Sequence, residues 1–479
     1  MSENHMNREK SLVKNTGILA IGQLSSKVFT FLLLPLYTAK LAQDDFGTID
    51  ALQTAISFAL YFVTLQLETA VFRFLVDERD NQKESAEYIT TALGMIGLSS
   101  LLATGIILAV WLLFRLPYLL LFILGIWSQA FYFSFSNVVR GFGRNADYSI
   151  ASFLVTLTSL LMNLVLILGF DIGGVSILIA MVASNFAGAL FIFCREKLWR
   201  YIKRSYFDRS KLKQMLSYSL PLIPNAVSWW VANMSDRLLI IAFLGAAANG
   251  IYAAANKIPT IYTTIFSVFN LAWAESVSLA MKDADKKEYI NSTYEASVKL
   301  FSFLNLGIIC CSSLFFNLLI GPNYGEAYLH VYILLVAIFF NSLCSMLGGI
   351  LTGYKNSKII GLSTICGAIL NFVVNIALIR SIGLYAASFS TLASYLAIWL
   401  LRHRSVGRYV KLRLNRGFLL QLLVVWMLVS AAYIARVLWA NLAVLLILIA
   451  WGLYTNKKLL LSFKEMLEKK LGRGGRAYE

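Results

Sequence analysis

Long apolar runs fill this chain, separated by short polar stretches at nearly regular intervals. A helix that crosses a bilayer needs about 20 largely apolar residues. Fourteen segments meet that need: 16–41, 47–73, 88–114, 117–139, 148–169, 172–194, 216–244, 250–280, 296–320, 326–352, 358–379, 383–401, 417–436 and 439–455. Most of the links are short, which favours antiparallel neighbours in a helical bundle. None is long enough for a soluble domain. The pattern predicts an all-α, polytopic membrane protein with about 14 transmembrane helices.

The loop charges test this count. With the N-terminus placed inside, 34 of the 42 Lys and Arg residues fall on the inner side of the alternating loops, and four (Lys40, Arg115, Arg380, Arg436) fall outside. A missed helix would destroy that asymmetry. Lys and Arg are enriched in cytoplasmic loops, so both termini are expected in the cytoplasm. The net charge of +17 is thereby topology, with attraction to anionic inner-leaflet lipids as a by-product. Nucleic acid is not an expected partner; membrane lipids are.

Composition agrees. The 479 residues are 58% hydrophobic and 14% charged, with a mean hydropathy of +0.70. Soluble domains carry about 25% charged residues. The five cysteines lie in or beside apolar runs, so no disulfide is expected. The three histidines have no metal-ligand spacing, and neither a metal nor another cofactor is expected. The first apolar run reads as a retained span and not as a signal peptide.

The basic loop CREKLWRYIKRSYFDRSKLKQ divides the chain near its middle. LAQDDFGTIDA (41–51) matches LGAAANGIYAA (244–254) at Leu and Gly with an offset of 203 residues. GFGRN with IGG matches LTGYK with IGL at an offset of 210. The organisation expected is a six-helix lobe over 1–200, a second, pseudo-symmetric six-helix lobe over 201–410, and two extra helices with a basic cytoplasmic tail over 411–479. Repeats of even helix number keep the same orientation, and transporters built so place their site at the repeat interface.

Charge inside a membrane span is costly and marks function by default. The in-span candidates are Lys27, Glu68, Asp236, Arg237, Lys257 and Glu275, with Arg73 at the inner end of span 2. Asp236 and Lys257 lie at nearly equal depth, about 15 Å down the hairpin of spans 7 and 8, and form a candidate structural or coupling pair. Asp236 and Arg237 point about 100° apart and do not pair with each other. Arg237 is a candidate phosphate ligand, with outward snorkelling as its competing reading. Lys27, Arg237 and Lys257 form the candidate substrate-binding set. Glu68, Arg73 and Glu275 are candidate gate residues. A surplus of cations in a cavity favours an anionic substrate such as a phosphate or pyrophosphate. Pro35, Pro221, Pro224 and Pro259 interrupt or open spans 1, 7 and 8, which also carry charges.

Two stretches carry a family resemblance: KNTGILAIGQLSSKVFTFLLLPLYTAKLAQDDFGTIDALQ and YSLPLIPNAVSWWVANMSDRLLIIAFLGAAANGIYAAANKIP, with a weaker echo in LNFVVNIALIRSIGLYAAS. The chain resembles the polysaccharide-transporter branch of the multidrug/oligosaccharidyl-lipid/polysaccharide flippase superfamily. The resemblance implies two pseudo-symmetric six-helix lobes around a central cationic cavity. It implies alternating-access flipping of an undecaprenyl-pyrophosphate-linked oligosaccharide (an O-antigen, capsule or exopolysaccharide unit) from the inner to the outer leaflet. Related lipid II flippases draw cavity cations from the first, second and eighth helices. Lys27 and Lys257 match on the first and eighth, whereas the second offers only Glu68 and Arg73. A polysaccharide polymerase and glycosyltransferases are the expected protein partners, and a proton or sodium gradient is a candidate driving force.

The competing readings are a lipid II or sporulation-type flippase of the same superfamily and a cation-coupled drug antiporter. A membrane glycosyltransferase or polymerase would need acids or arginines in sizeable outer loops, so no enzyme is expected. The cationic-cavity reading predicts that Lys27→Ala impairs export of the lipid-linked glycan at unchanged protein level; wild-type export by this variant contradicts it.

Overall fold

A computed structural model describes residues 32–79, 81–115, 118–281, 283–457 and 461. The described residues form seventeen α-helices, joined by short 3-10 and π turns, and no strand. Ten helices are long and apolar enough to cross a membrane. Three more, Leu222–Leu244, Pro259–Ala280 and Tyr385–Val406, occupy the places expected for spans 7, 8 and 12. Most of span 1 lies outside the described residues. The chain is a multi-pass membrane protein.

By contact the chain divides into two compact units at Ala253/Ala254. The first contains α1 (Leu34–Lys40), α2 (Gln43–Thr64), α3 (Leu67–Asp77), α4 (Gln82–Phe114), α5 (Leu119–Gly141), α6 (Asn145–Leu164), α7 (Val175–Arg195), α8 (Arg209–Ser219) and α9 (Leu222–Leu244). The boundary falls within α10 (Ala246–Lys257). The second unit continues with α11 (Pro259–Ala280), α12 (Lys286–Leu319), α13 (Ala327–Gly353), α14 (Ser357–Ile382), α15 (Tyr385–Val406), α16 (Arg416–Ala435) and α17 (Leu438–Thr455). This division concerns contacts; repeat boundaries near 200 and 410 stay a proposal from the sequence.

Each unit repeats one packing scheme. In the first, α5 packs on α3 and α7, and α7 packs on α6. In the second, α13 packs on α11 and α15, and α15 packs on α14. The sequence-matched glycines Gly173 and Gly383 both adopt the left-handed region, with φ of +74° and +59°. That backbone is easy for glycine and costly for other residues. The helix interiors are packed by apolar side chains such as Leu67, Leu75, Ile89, Val138 and Ile192. The outer face of α4 instead exposes Leu101, Leu102, Ile106 and Leu112, as a lipid-facing surface requires.

Prolines mark helix starts. Pro35 lies in the first turn of α1, Pro221 precedes α9, and Pro259 opens α11 after a break at Ile258. A proline lacks the N–H that a helix interior needs but is tolerated in the first turn. Span 2 breaks without a proline or a glycine. Leu65 and Gln66 both take left-handed conformations, φ +52° and +56°, between α2 and α3. The side chain of Ser99 on α4 donates to the Val63 carbonyl that the break leaves open. Thr64 Oγ1 accepts from Gln66 N at 3.2 Å. The second span of each proposed repeat is therefore discontinuous, a feature that marks binding regions in transporters.

In the second unit Arg402, read from sequence as an inner loop charge, is buried within α15. Its guanidinium donates to Cys344 O at 2.8 Å, Ser363 Oγ at 2.9 Å and Thr364 Oγ1 at 2.9 Å, tying α13, α14 and α15 together.

The strained pair at the break generates a stability prediction. Gln66→Gly keeps or raises the melting temperature in detergent, because glycine tolerates φ > 0. Gln66→Val lowers stability by about 1–2 kcal/mol, since a β-branched residue is an outlier there. Equal melting of the two variants would remove the left-handed conformation.

Candidate functional site

Gln43 and Leu244 are the outer ends of α2 and α9 on the sequence-derived topology. Asp50 lies seven residues in from Gln43, and Arg237 seven residues in from Leu244. At 1.5 Å per residue both lie about 10 Å deep. The two helices pack on each other, and Arg237 Nε donates to Asp50 Oδ2 at 2.6 Å. The side chains keep only 13% and 11% exposure. Arg237 therefore does not snorkel in this structure. Its Nη1 reaches Met234 Sδ at 3.0 Å. Asn249 Nδ2 donates to Gly47 O at 2.7 Å and approaches Asp50 Oδ2 at 3.5 Å. Asp236 turns away, as its position on the helix requires, and Oδ2 accepts from the Tyr252 hydroxyl at 3.1 Å.

Above this pair the helices α2 and α10 touch backbone to backbone. A Cβ on Gly47 would lie 1.8 Å from Ala246 O, and one on Gly250 would lie 2.1 Å from Gln43 O. Only glycine permits either approach. The contact is reciprocal under the offset of 203 found in the sequence: 43 maps to 246 and 47 maps to 250. Such exchange of partners is what a two-fold axis imposes on a self-complementary contact. A local two-fold thus passes between Gly47 and Gly250. Deeper along α2 and α9, Trp230 Nε1 donates to Ser57 Oγ at 3.0 Å, and its ring lies 4.5 Å from that of Phe58.

The remaining candidates separate. Glu68 lies in the first turn of α3, directly after the helix break, and is 9% exposed. Its Oε2 is buried without a hydrogen-bond partner. A helix N-terminus favours a carboxylate, but a buried unpartnered oxygen is costly. Arg73, at the other end of α3, is exposed and pairs with Asp77 at 2.6 Å. Lys257 is the last residue of α10, at the break before Pro259. Lys257 and Asp236 fall in different units, and their pairing stays a proposal. Glu275 lies on α11. Lys27 lies outside the described residues. Asp50, Asn249 and the Gly47–Gly250 crossing are absent from the set expected from sequence, although the depth arithmetic used for span 7 finds Asp50 once it is applied to span 2.

The family model for polysaccharide biosynthesis proteins matches residues 12–274, more than half of the chain, and covers the whole Asp50–Arg237 region. The chain belongs to the polysaccharide biosynthesis protein family. Two relatives are similar in sequence to this polysaccharide biosynthesis protein. A protein of the Lsg locus of Haemophilus influenzae is 26% identical over 306 residues, covering 62% of this chain and 72% of that one. A membrane protein of Methanocaldococcus jannaschii is 23% identical over 432 residues, covering 85% and 99%. The fold of this family member is also that of solved transporters. The lipid II flippase MurJ in an inward closed conformation superposes with a TM-score of 0.68 at 14% identity, covering 95% of this chain and 99% of that chain. An inward-facing multidrug resistance MATE transporter of the MOP superfamily gives 0.61 at 15% identity, covering 81% and 98%. At such identities the likeness establishes the fold alone.

The ion pair generates a prediction for this family member. Asp50→Ala leaves a buried guanidinium uncompensated and lowers stability by about 3 kcal/mol. Adding Arg237→Met recovers at least about 1 kcal/mol of that loss. Thermal unfolding in detergent reads both; additive losses would mean the two side chains do not interact.

Proposed function

We propose that this protein is a flippase that moves an undecaprenyl-pyrophosphate-linked oligosaccharide, an O-antigen, capsule or exopolysaccharide unit, from the inner to the outer leaflet by alternating access. The observation that carries the reading is the Arg237–Asp50 pair beneath the Gly47–Gly250 crossing, in a chain of the polysaccharide biosynthesis family. In this conformation the crossing closes one end of the pathway, taken as the outer end, and Asp50 neutralises Arg237. Separating α2 from α10 removes Asn249 from Asp50 and loosens the pair. A pyrophosphate then competes with Asp50 for the guanidinium, whose planar fork suits phosphate oxygens. Lys27 and Lys257 supply further cationic contacts. Trp230 and its aromatic neighbour Phe58 bound an apolar wall deeper along the same helices.

Glu68 is the group best placed for coupling. Its unpartnered Oε2 at a helix break accepts a proton without displacing another ligand. Arg73 and Glu275 remain candidate gate residues. The protein operates in the cytoplasmic membrane of a bacterium with both termini inside, alongside the glycosyltransferases and polymerase that make and consume its substrate. A lipid II flippase of the same fold is the competing reading, and substrate choice separates the two.

The test uses purified protein in liposomes with a fluorescent undecaprenyl-pyrophosphate oligosaccharide, reading its appearance in the opposite leaflet. Wild type translocates it in preference to lipid II. Arg237→Ala lowers the rate about tenfold or more, the worth of one charge-assisted hydrogen bond, while Arg237→Lys retains part of it. Glu68→Gln removes the response to an imposed pH gradient. Translocation of lipid II alone, or full activity of Arg237→Ala, overturns the reading.

A further inference from the structure

The segment between α7 and α8 is strongly basic, yet it is not a free loop. Thr90 and Thr91 of α4 hold it. The Thr90 hydroxyl donates to Tyr201 O and accepts from Lys203 N at 3.4 Å. Thr91 Oγ1 accepts from Asp208 N at 3.0 Å. Asp208 then caps α8, accepting from Ser210 N at 2.6 Å and Lys211 N at 3.0 Å. Lys211 turns inward and binds both Glu84 and Glu87 of α4. Burial lowers the affinity of its amine for a proton, but the two carboxylates outweigh that and raise it.

This anchoring uses nearby acids and leaves the cations around Phe207 outside. Lys203, Arg204, Arg209 and Lys213 are exposed, and none has a carboxylate partner among the described residues. Between them stands Phe207, 44% exposed. It divides two open grooves. One, of about 640 Å³, has Lys203 and Arg204 at its rim and Leu93, Phe131 and Phe135 along its wall. The other, of about 600 Å³, has Arg209 and Lys213 at its rim and Met95, Leu98 and Leu220 along its wall. Gly94 keeps the floor low beside the Phe207 ring, which lies 3.7 Å from where a Cβ would be.

A water-facing basic loop has no reason to sit over grooves walled by aromatic and aliphatic side chains. Cations at a rim with apolar grooves running from it match an amphiphile whose anionic headgroup stays at the membrane surface. Basic pockets at the cytoplasmic end of membrane helices take lipid headgroups. We infer that Lys203, Arg204, Arg209 and Lys213, with Phe207 between the two grooves, form a binding site for an anionic phospholipid of the inner leaflet. The phosphodiester is held by the cations, and one acyl chain lies on each side of the Phe207 ring. The site is separate from the Arg237–Asp50 region and does not depend on the transported substrate.

The test is native mass spectrometry of the full chain, delipidated and titrated with phosphatidylglycerol or phosphatidylcholine. Wild type binds phosphatidylglycerol at least about tenfold more tightly than phosphatidylcholine, as two charge-assisted contacts allow. Lys203→Ala with Arg204→Ala removes most of that preference, and Phe207→Ala weakens binding of both lipids. Lys355→Ala with Lys358→Ala, which removes equal charge elsewhere, leaves it intact. Equal loss in that control reduces the effect to net charge and overturns the site. Displacement of the lipid by millimolar inorganic phosphate means that the acyl chains are not held, and overturns it as well. A circular dichroism melt unchanged from wild type confirms that the variants are folded.

Discussion

The Arg237–Asp50 ion pair is the constraint around which this end of the first unit is arranged. An arginine about 10 Å inside a membrane helix is tolerated only with a partner. Asp50 can supply one only if α2 lies directly against α9. Asn249 adds a donor to the same carboxylate, and it reaches that far because Gly47 and Gly250 let α2 and α10 meet without side chains between them. The charge requirement and the steric permission are two aspects of one packing arrangement. A larger residue at either glycine separates the helices and withdraws Asn249 from Asp50.

The reciprocity of that crossing connects geometry to sequence. Two stretches 203 residues apart, alike at only three positions, exchange equivalent partners across a local two-fold. Duplicated chains meet in this way at a symmetry axis, and duplicated lobes are the basis of alternating access. On the proposed reading the glycines form the removable contact and the ion pair below them is its electrostatic counterpart.

The all-α membrane architecture was legible from hydropathy and loop charge, because the cost of exposing backbone polar groups to lipid leaves few alternatives to helices. The helix starts at Pro221 and Pro259 were legible for the same local reason, the missing N–H. The break at Leu65–Gln66 was not, since neither residue favours the left-handed region and the conformation is held by Ser99 from another helix. Arg402 was read as a loop charge because α15 continues past the apolar window, and its acceptors come from two other helices, α13 and α14. At the candidate site, the separate directions of Asp236 and Arg237 followed from helix geometry. The partner Asp50 required knowing that α2 and α9 are neighbours, which a single sequence does not state.

The crossing itself offers the most direct measurement. Spin labels on Asp44 of α2 and Ala248 of α10 flank the glycine contact and report its opening as a distance, in a protein whose native cysteines have been replaced. If the crossing is the outer closure of an alternating-access pathway, the distance distribution has one short population without substrate. Adding undecaprenyl-pyrophosphate oligosaccharide brings in a second, longer population. A single short population that persists throughout active translocation would show that α2 and α10 never part, and the proposed pathway would have to run elsewhere.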